Sequence, residues 1–203
     1  MSAVTVVDHG AGNLRSLRAA LERLGEDVRI TSDPSAVEAA AVVVVPGVGA
    51  AGPAMERLRV TGLARAIRTA AAGGANVVGI CLGLQLLFDR SDEGDTECLG
   101  LLPGAVHRID WAGTVPHMGW NDVTPARGDA LADALPAVCY FAHTYVAEPE
   151  DGRDVLATTE LDGRTFASAV ARGRVAAVQF HPERSGPAGR TLLAALLRRG
   201  DAA

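Results

Sequence analysis

The chain has 203 residues, 48% hydrophobic and 21% charged, enough for one well-buried domain and short for two. A formal net charge of −5 argues against non-specific binding to nucleic acid or an anionic membrane surface. Apolar runs are strand-length, Ala39 to Val45 being the longest, so none spans a bilayer.

In chain order, Val4 to Val7 reads as a strand that begins almost at once, without the basic-then-apolar pattern of a secretory signal. Asn13 to Leu24 carries Leu14, Leu17, Leu21 and Leu24 at helical spacing, and Gly25 stops it. Asp27 to Ile30 is a second, more exposed strand. Ala41 to Val45 is a Val run of the kind buried on both faces of a sheet. Helical patterns cover Ala54 to Leu58 and Leu63 to Ala72, and Asn76 to Ile80 forms the next buried strand. Alternation of this kind predicts an α/β fold with a mainly parallel, doubly wound sheet flanked by helices. Beyond Phe88 the pattern changes to short β-like pieces at 105–109, 138–141 and 155–159, then strands at 166–171 and 175–180 around an Arg172-Gly173 turn. A helix from Gly189 to Arg199 closes the chain. The expectation is a single domain over 1–203 with an antiparallel β elaboration.

Gly79-Ile80-Cys81-Leu82-Gly83 lies between a strand and the helical start Leu82 to Phe88. A Gly-x-Cys-x-Gly there is a nucleophile elbow, a turn tight enough to hold the sulfur clear of the backbone. A helix amino end also favours thiolate over thiol. A thiol nucleophile needs a base and a group to orient that base. A hundred residues further on, Gln179-Phe180-His181-Pro182-Glu183 supplies both. Cys81 is the expected nucleophile, His181 the base that takes its proton and returns one to the leaving amine, and Glu183 the group that fixes the imidazole tautomer.

Ligands of open parallel sheets sit beyond the carboxyl ends of the strands. There Pro46-Gly47-Val48-Gly49 follows the Val run and offers backbone amides to a tetrahedral oxyanion, each such donor worth roughly 3–4 kcal/mol of barrier. Leu82 N–H is the expected second donor, with Val48 or Gly49 N–H as the first. Cys98 and Cys139 have no elbow and read as structural thiols; His107 and His117 read as surface or hydrogen-bonding groups. Three cysteines at unrelated spacings form neither a disulfide framework nor a metal motif, so no metal or cofactor is expected and a reducing cytoplasm is the expected compartment. Pro116-His117-Met118-Gly119-Trp120-Asn121 is an apolar, turn-rich segment holding one of two tryptophans, an interface anchor if exposed.

These segments resemble class I glutamine amidotransferases, over nearly the whole chain. The elbow and Gln179 to Glu183 mark the class. Tyr140 to Tyr145 adds to the resemblance, and Gly12-Asn13-Leu14-Arg15-Ser16, Pro46 to Gly49 and Pro116 to Asn121 look, more narrowly, like the glutaminase subunits of imidazole glycerol phosphate synthase. The resemblance implies release of ammonia from glutamine through a Cys81 thioester. It also implies a heterodimer with a (β/α)₈-barrel cyclase that receives the ammonia in histidine biosynthesis. By the same resemblance the Gly47–Gly49 loop, Gln85, Thr144 and Tyr145 hold glutamine, and Met118, Trp120 and Asn121 lie at the cyclase interface. Three positions depart from the family's usual residues: His9 for Tyr, Ala51 for Phe and Arg184 for Lys. Other class I glutaminases, such as the anthranilate type, a peptide or ester hydrolase, and a silent scaffold are the competing readings.

Overall fold

The computed structural model describes residues 3–128 and 130–199; Met1, Ser2, Asp129 and 200–203 lie outside the described residues. Five strands form the parallel half of the main sheet, in the order β2 (Val28–Thr31), β1 (Val4–Val7), β3 (Val42–Gly47), β4 (Asn76–Cys81) and β14 (Val175–Val178). Every residue of β4 is buried, as a central strand covered on both faces requires.

Helices cover the two faces. On one, α1 (Leu14–Arg23) packs Leu17, Ala20 and Leu21 into a core shared with Leu192, Leu193 and Leu196 of α6 (Gly186–Leu197). On the other, α2 (Pro34–Glu38), α3 (Ala51–Val60), α4 (Leu63–Ala72) and the short α5 (Leu82–Leu86) enclose Val37, Met55, Leu58, Ile67 and Leu84. Asn13 caps α1 through its side-chain oxygen, and Gly25 takes the left-handed conformation just past its end.

The antiparallel elaboration continues from β14 through β13 (Arg164–Arg172) and β11 (Tyr145–Pro149) to β7 (Gly104–Arg108), then to the two-residue strands β5 (Arg90–Ser91) and β6 (Thr96–Glu97). A side branch pairs β12 (Val155–Leu161) with β13 and with β9 (Thr124–Pro125). A separate antiparallel pair, β8 (His117–Asp122) with β10 (Val138–His143), stands beside the main sheet.

The structure extends several expected elements and adds others. α3 begins at Ala51, because Pro53 falls in the first turn where a missing N–H costs nothing. α6 begins three residues before Gly189 for the same reason, with Pro187 in its first turn. α2 was not expected; Asp33 caps it and Pro34 opens it, a start signal too short to carry a periodic stripe. The turn-rich reading of Pro116 to Asn121 is corrected: His117 onward is a strand. Its burial alternates, with His117 inward and Met118 and Trp120 outward, so the apolar residues lie on the open face and mask the period of two.

Candidate active site

β3 and β4 end side by side, with Gly47 and Cys81 in register, so the Gly47-Val48-Gly49 loop emerges next to the elbow. Cys81 sits at φ 54°, ψ −111°, a conformation forced on a non-glycine residue by the turn from β4 into α5. The flanking glycines have no room for a side chain. A Cβ on Gly83 would fall 1.8 Å from Val45 O, and one on Gly79 would fall 2.9 Å from Gly83 O. Gly47 is held equally close, its missing Cβ facing Leu82 Cβ at 2.7 Å.

β14 runs parallel to β4, and its continuation brings His181 to the same end of the sheet. His181 N–H donates to Tyr140 O of β10 (2.9 Å), which anchors the loop. A one-turn 3₁₀ helix, Pro182–Arg184, then turns Glu183 back, and His181 Nδ1 lies 2.9 Å from Glu183 Oε1. The side chains of His181 and Glu183 are 6% and 4% exposed, so little water screens the pair. Burial pulls the His181 pKa down, but pairing with the Cys81 sulfur on one side and the Glu183 carboxylate on the other overcomes this and raises it to about 10. The three side chains expected from sequence therefore meet, with the imidazole between sulfur and carboxylate.

Cys81 and His181 open onto a cavity of about 280 Å³, with Glu183 buried behind the imidazole. Val48, Gly49, Cys81, Leu82, Gln85, Thr144 and Tyr145 line it, as does Met118 at its mouth. Gly47 is not in the lining; it is buried and its role is to let β3 approach the elbow. Trp120 and Asn121 also lie off the cavity: Trp120 is 60% exposed on the outer face of β8, and Asn121 turns inward on the same strand. The amide nitrogen of Gln85 donates to Tyr145 O and Gln179 Oε1, both at 3.1 Å, which leaves its carbonyl oxygen to accept from a ligand. The Thr144 carbonyl is already taken by Ile109 N–H at 2.9 Å.

Six lining residues were not among the expected site residues: Asn13, Glu93, Pro116, Ala142, His143 and Arg184. Glu93 is the notable one. Its carboxylate accepts from Ala51 N–H at 2.7 Å and places a negative charge at the cavity wall. It arrives from a loop 42 residues distant, with no local motif to announce it. Arg184, the departure after Glu183, also lines the cavity, its guanidinium 3.9 Å from the centre of the Tyr140 ring. His9, another departure, is buried and bonds Pro46 O through Nε2 at 2.8 Å, tying the end of β1 to the glycine loop.

The other cysteines are inert by position: burial pushes the Cys98 thiol up to about 11 and the Cys139 thiol up to about 12. His107 is a surface group paired with Asp92 at 2.8 Å, and His117 is buried and hydrogen-bonded. Among the described residues no three His, Cys, Asp or Glu side chains group so as to hold a metal ion. No described helix is long and apolar enough to cross a membrane.

A family profile described as glutamine amidotransferase class-I matches residues 5–198. The imidazole glycerol phosphate synthase subunit HisH of Moorella thermoacetica is 45% identical over 196 residues, covering 95% of this chain and 93% of that protein. The subunit of the same name from Xanthomonas euvesicatoria pv. vesicatoria is 47% identical over 197 residues, covering 95% and 96%. Among solved structures, a glutamine amidotransferase superimposes with a TM-score of 0.78 at 23% identity, covering 98% of this chain and 100% of that one. A glutamine amidotransferase from Thermotoga maritima superimposes with a TM-score of 0.66 at 16% identity, covering 96% and 81%. These structures share the fold, and the sequence relatives narrow the assignment: this chain belongs to the class I glutamine amidotransferase family, among the HisH subunits of imidazole glycerol phosphate synthase.

Proposed function

We propose that this chain is a glutaminase that hydrolyses glutamine to glutamate and ammonia and delivers the ammonia to a (β/α)₈-barrel cyclase, in the synthesis of imidazole glycerol phosphate and aminoimidazole carboxamide ribotide. The observation that carries the reading is the buried Cys81–His181–Glu183 constellation opening onto a cavity sized for one amino acid.

In this mechanism His181 holds the proton of Cys81, and Sγ attacks the carboxamide carbon of glutamine. Leu82 N–H and a Val48 or Gly49 N–H receive the developing oxyanion. His181 then protonates the departing ammonia, leaving a thioester on Cys81. A water molecule activated by the same imidazole releases glutamate. Glu183 keeps the imidazole oriented and stabilises its charged form. The carbonyl oxygen of Gln85 and the carboxylate of Glu93 suit the ammonium of the amino-acid end, and the Thr144-Tyr145 backbone borders it.

The glycine-bordered Val48 loop can hold productive and unproductive orientations. Low glutaminase activity alone and strong activation by the cyclase with its ligand bound follow from that. Exposed Met118 and Trp120, with Asn121 beside them on β8, form the proposed docking strand. The proposed unit is a single cytoplasmic domain that needs no cofactor and binds neither nucleic acid nor membrane.

Replacing the nucleophile tests this reading. Cys81→Ala is expected to abolish glutamine-dependent synthesis by the reconstituted pair while ammonia-dependent synthesis persists. Retained glutamate release by Cys81→Ala would exclude the thioester route, and binding to a chorismate-using subunit in place of a barrel cyclase would reassign the partner.

A further inference from the structure

A chain of hydrogen-bonded side chains runs from the inner face of β8, at Asn121 and His117, through His143 of β10 to the cavity wall. His117 and His143 are cross-strand partners, 7% and 5% exposed, with His117 Nδ1 lying 2.9 Å from His143 Nε2. Phe141 stacks on His117 at 4.8 Å, and Phe166 packs edge-on against it at 6.0 Å. At one end, Asn121 Nδ2 lies 3.2 Å from His117 Nε2 and donates to Glu160 O at 2.9 Å. At the other, His143 Nδ1 lies 2.9 Å from Tyr145 O, the same carbonyl that accepts from Gln85 Nε2. Gln85 continues to Gln179, whose Nε2 is 3.8 Å from Cys81 Sγ.

The acceptors at the two ends fix every proton between them. Tyr145 O can only accept, so His143 carries its hydrogen on Nδ1. Its Nε2 is then a lone pair, so His117 must also carry its hydrogen on Nδ1. The lone pair on His117 Nε2 receives the second Asn121 amide hydrogen. The orientation of that amide is set independently, since Glu160 O demands a donor and Asp122 N–H needs the amide oxygen, 2.8 Å away. Burial keeps both rings uncharged: it lowers the His117 pKa and takes that of His143 down to about 3. Because Tyr145 O accepts from both His143 and Gln85, no proton can be handed through it. The chain works as a strut.

We propose that Asn121, His117 and His143 are positioning residues that fix the Tyr145 carbonyl and, through it, the Gln85 amide, so that the amino-acid end of the glutamine pocket takes its shape from strand β8. This rests on Gln85 and Tyr145 holding glutamine. The outer face of the same strand presents Met118 and Trp120, so a partner seated there touches the strand whose inner face sets the pocket.

Saturable inactivation of the full chain by a glutamine-like chloromethyl ketone reads the pocket, while alkylation by iodoacetamide reads only the thiol. Asn121→Asp keeps the shape of the amide and its acceptor oxygen but turns the donor nitrogen into an acceptor; His117→Phe keeps the ring stacked on Phe141 and deletes both nitrogens. Both are expected to raise the half-saturating ketone concentration about tenfold, with the limiting rate and the iodoacetamide rate little changed. Damage to folding alone would lower the fraction of chain labelled and leave half-saturation where it was, and that result in both variants overturns the proposal. Wild-type chain that shows no saturable labelling overturns the glutaminase reading and the strut with it. On the wild type alone, long-range proton–nitrogen correlation NMR is expected to find both rings neutral and protonated at Nδ1. A hydrogen on His117 Nε2 instead would also sink the proposal.

Discussion

Glu183 binds His181 with one carboxylate oxygen and has the other buried with no hydrogen-bond partner among the described residues. A buried carboxylate so poorly satisfied is costly unless a positive charge stands beside it, and the protonated imidazole is that charge. The pH dependence follows from the raised His181 pKa. The folded state holds this proton up to about 10, whereas an unfolded histidine releases it near 6.5. The contribution to stability is therefore complete below pH 6.5 and is lost as pH climbs through about 10. The Cys81 sulfur and the Glu183 carboxylate together hold this proton; Glu183→Gln removes the second of them, lowers the folded pKa and shortens that window. Urea unfolding at pH 7 and at pH 10 should show the wild type losing about 2 kcal/mol more than Glu183→Gln between the two. Equal losses would mean that the carboxylate does not hold the proton. Under the proposed mechanism glutamate release should fall less in Glu183→Gln than in Cys81→Ala or His181→Ala, since Glu183 acts on the imidazole and touches no reacting atom.

At the scale of elements, the elbow depends on two chain segments approaching as closely as glycine permits. A methyl on Gly83 would meet the Val45 carbonyl carbon at 2.8 Å and its oxygen closer still, and both are backbone atoms at the centre of the sheet. Gly83→Ala is expected to destabilise by about 3 kcal/mol, lowering Tm by roughly 6–12 °C for a domain of this size. Gly152→Ala, where a Cβ meets nothing within 4 Å, should leave Tm unchanged. Thermal unfolding of the pair tests the packing argument, and equal Tm values would refute it. This local dependence is also why the elbow was legible in the sequence: strand, glycines, cysteine and helix are contiguous. The buried parallel strands were legible because Val runs need no partner to declare them. β8 was not, because Met118 and Trp120 place apolar side chains on its open face. Glu93, Asn13 and His143 were hidden for a different reason. Each reaches the cavity from its own loop or strand end, so only the folded chain brings them together.

Across the whole molecule, the parallel order β3-β4-β14 delivers the glycine loop, Cys81 and His181 to one end of the sheet, and the separate β8–β10 pair walls that end from the side. The result is an asymmetric mouth. Val48 is 41% exposed, Met118 65% and Trp120 60%, and the first two also line the cavity. Trp120 meets the Tyr140 ring edge-on at 6.2 Å, and Arg184 caps that ring. A surface that combines an exposed tryptophan, a methionine and an arginine-capped tyrosine has the composition of an interface core. Because Val48, Met118 and Arg184 also line the cavity onto which Cys81 opens, a partner seated on this surface would cover the cavity, as the proposed transfer of ammonia requires. Trp120→Ala is therefore expected to weaken association with the proposed cyclase partner by at least about 2 kcal/mol, roughly 30-fold in Kd by titration calorimetry. Because the side chain is mostly outside the core, Tm of the isolated chain should hardly move. An unchanged Kd would place docking on another face and leave the open mouth of the cavity without its cover.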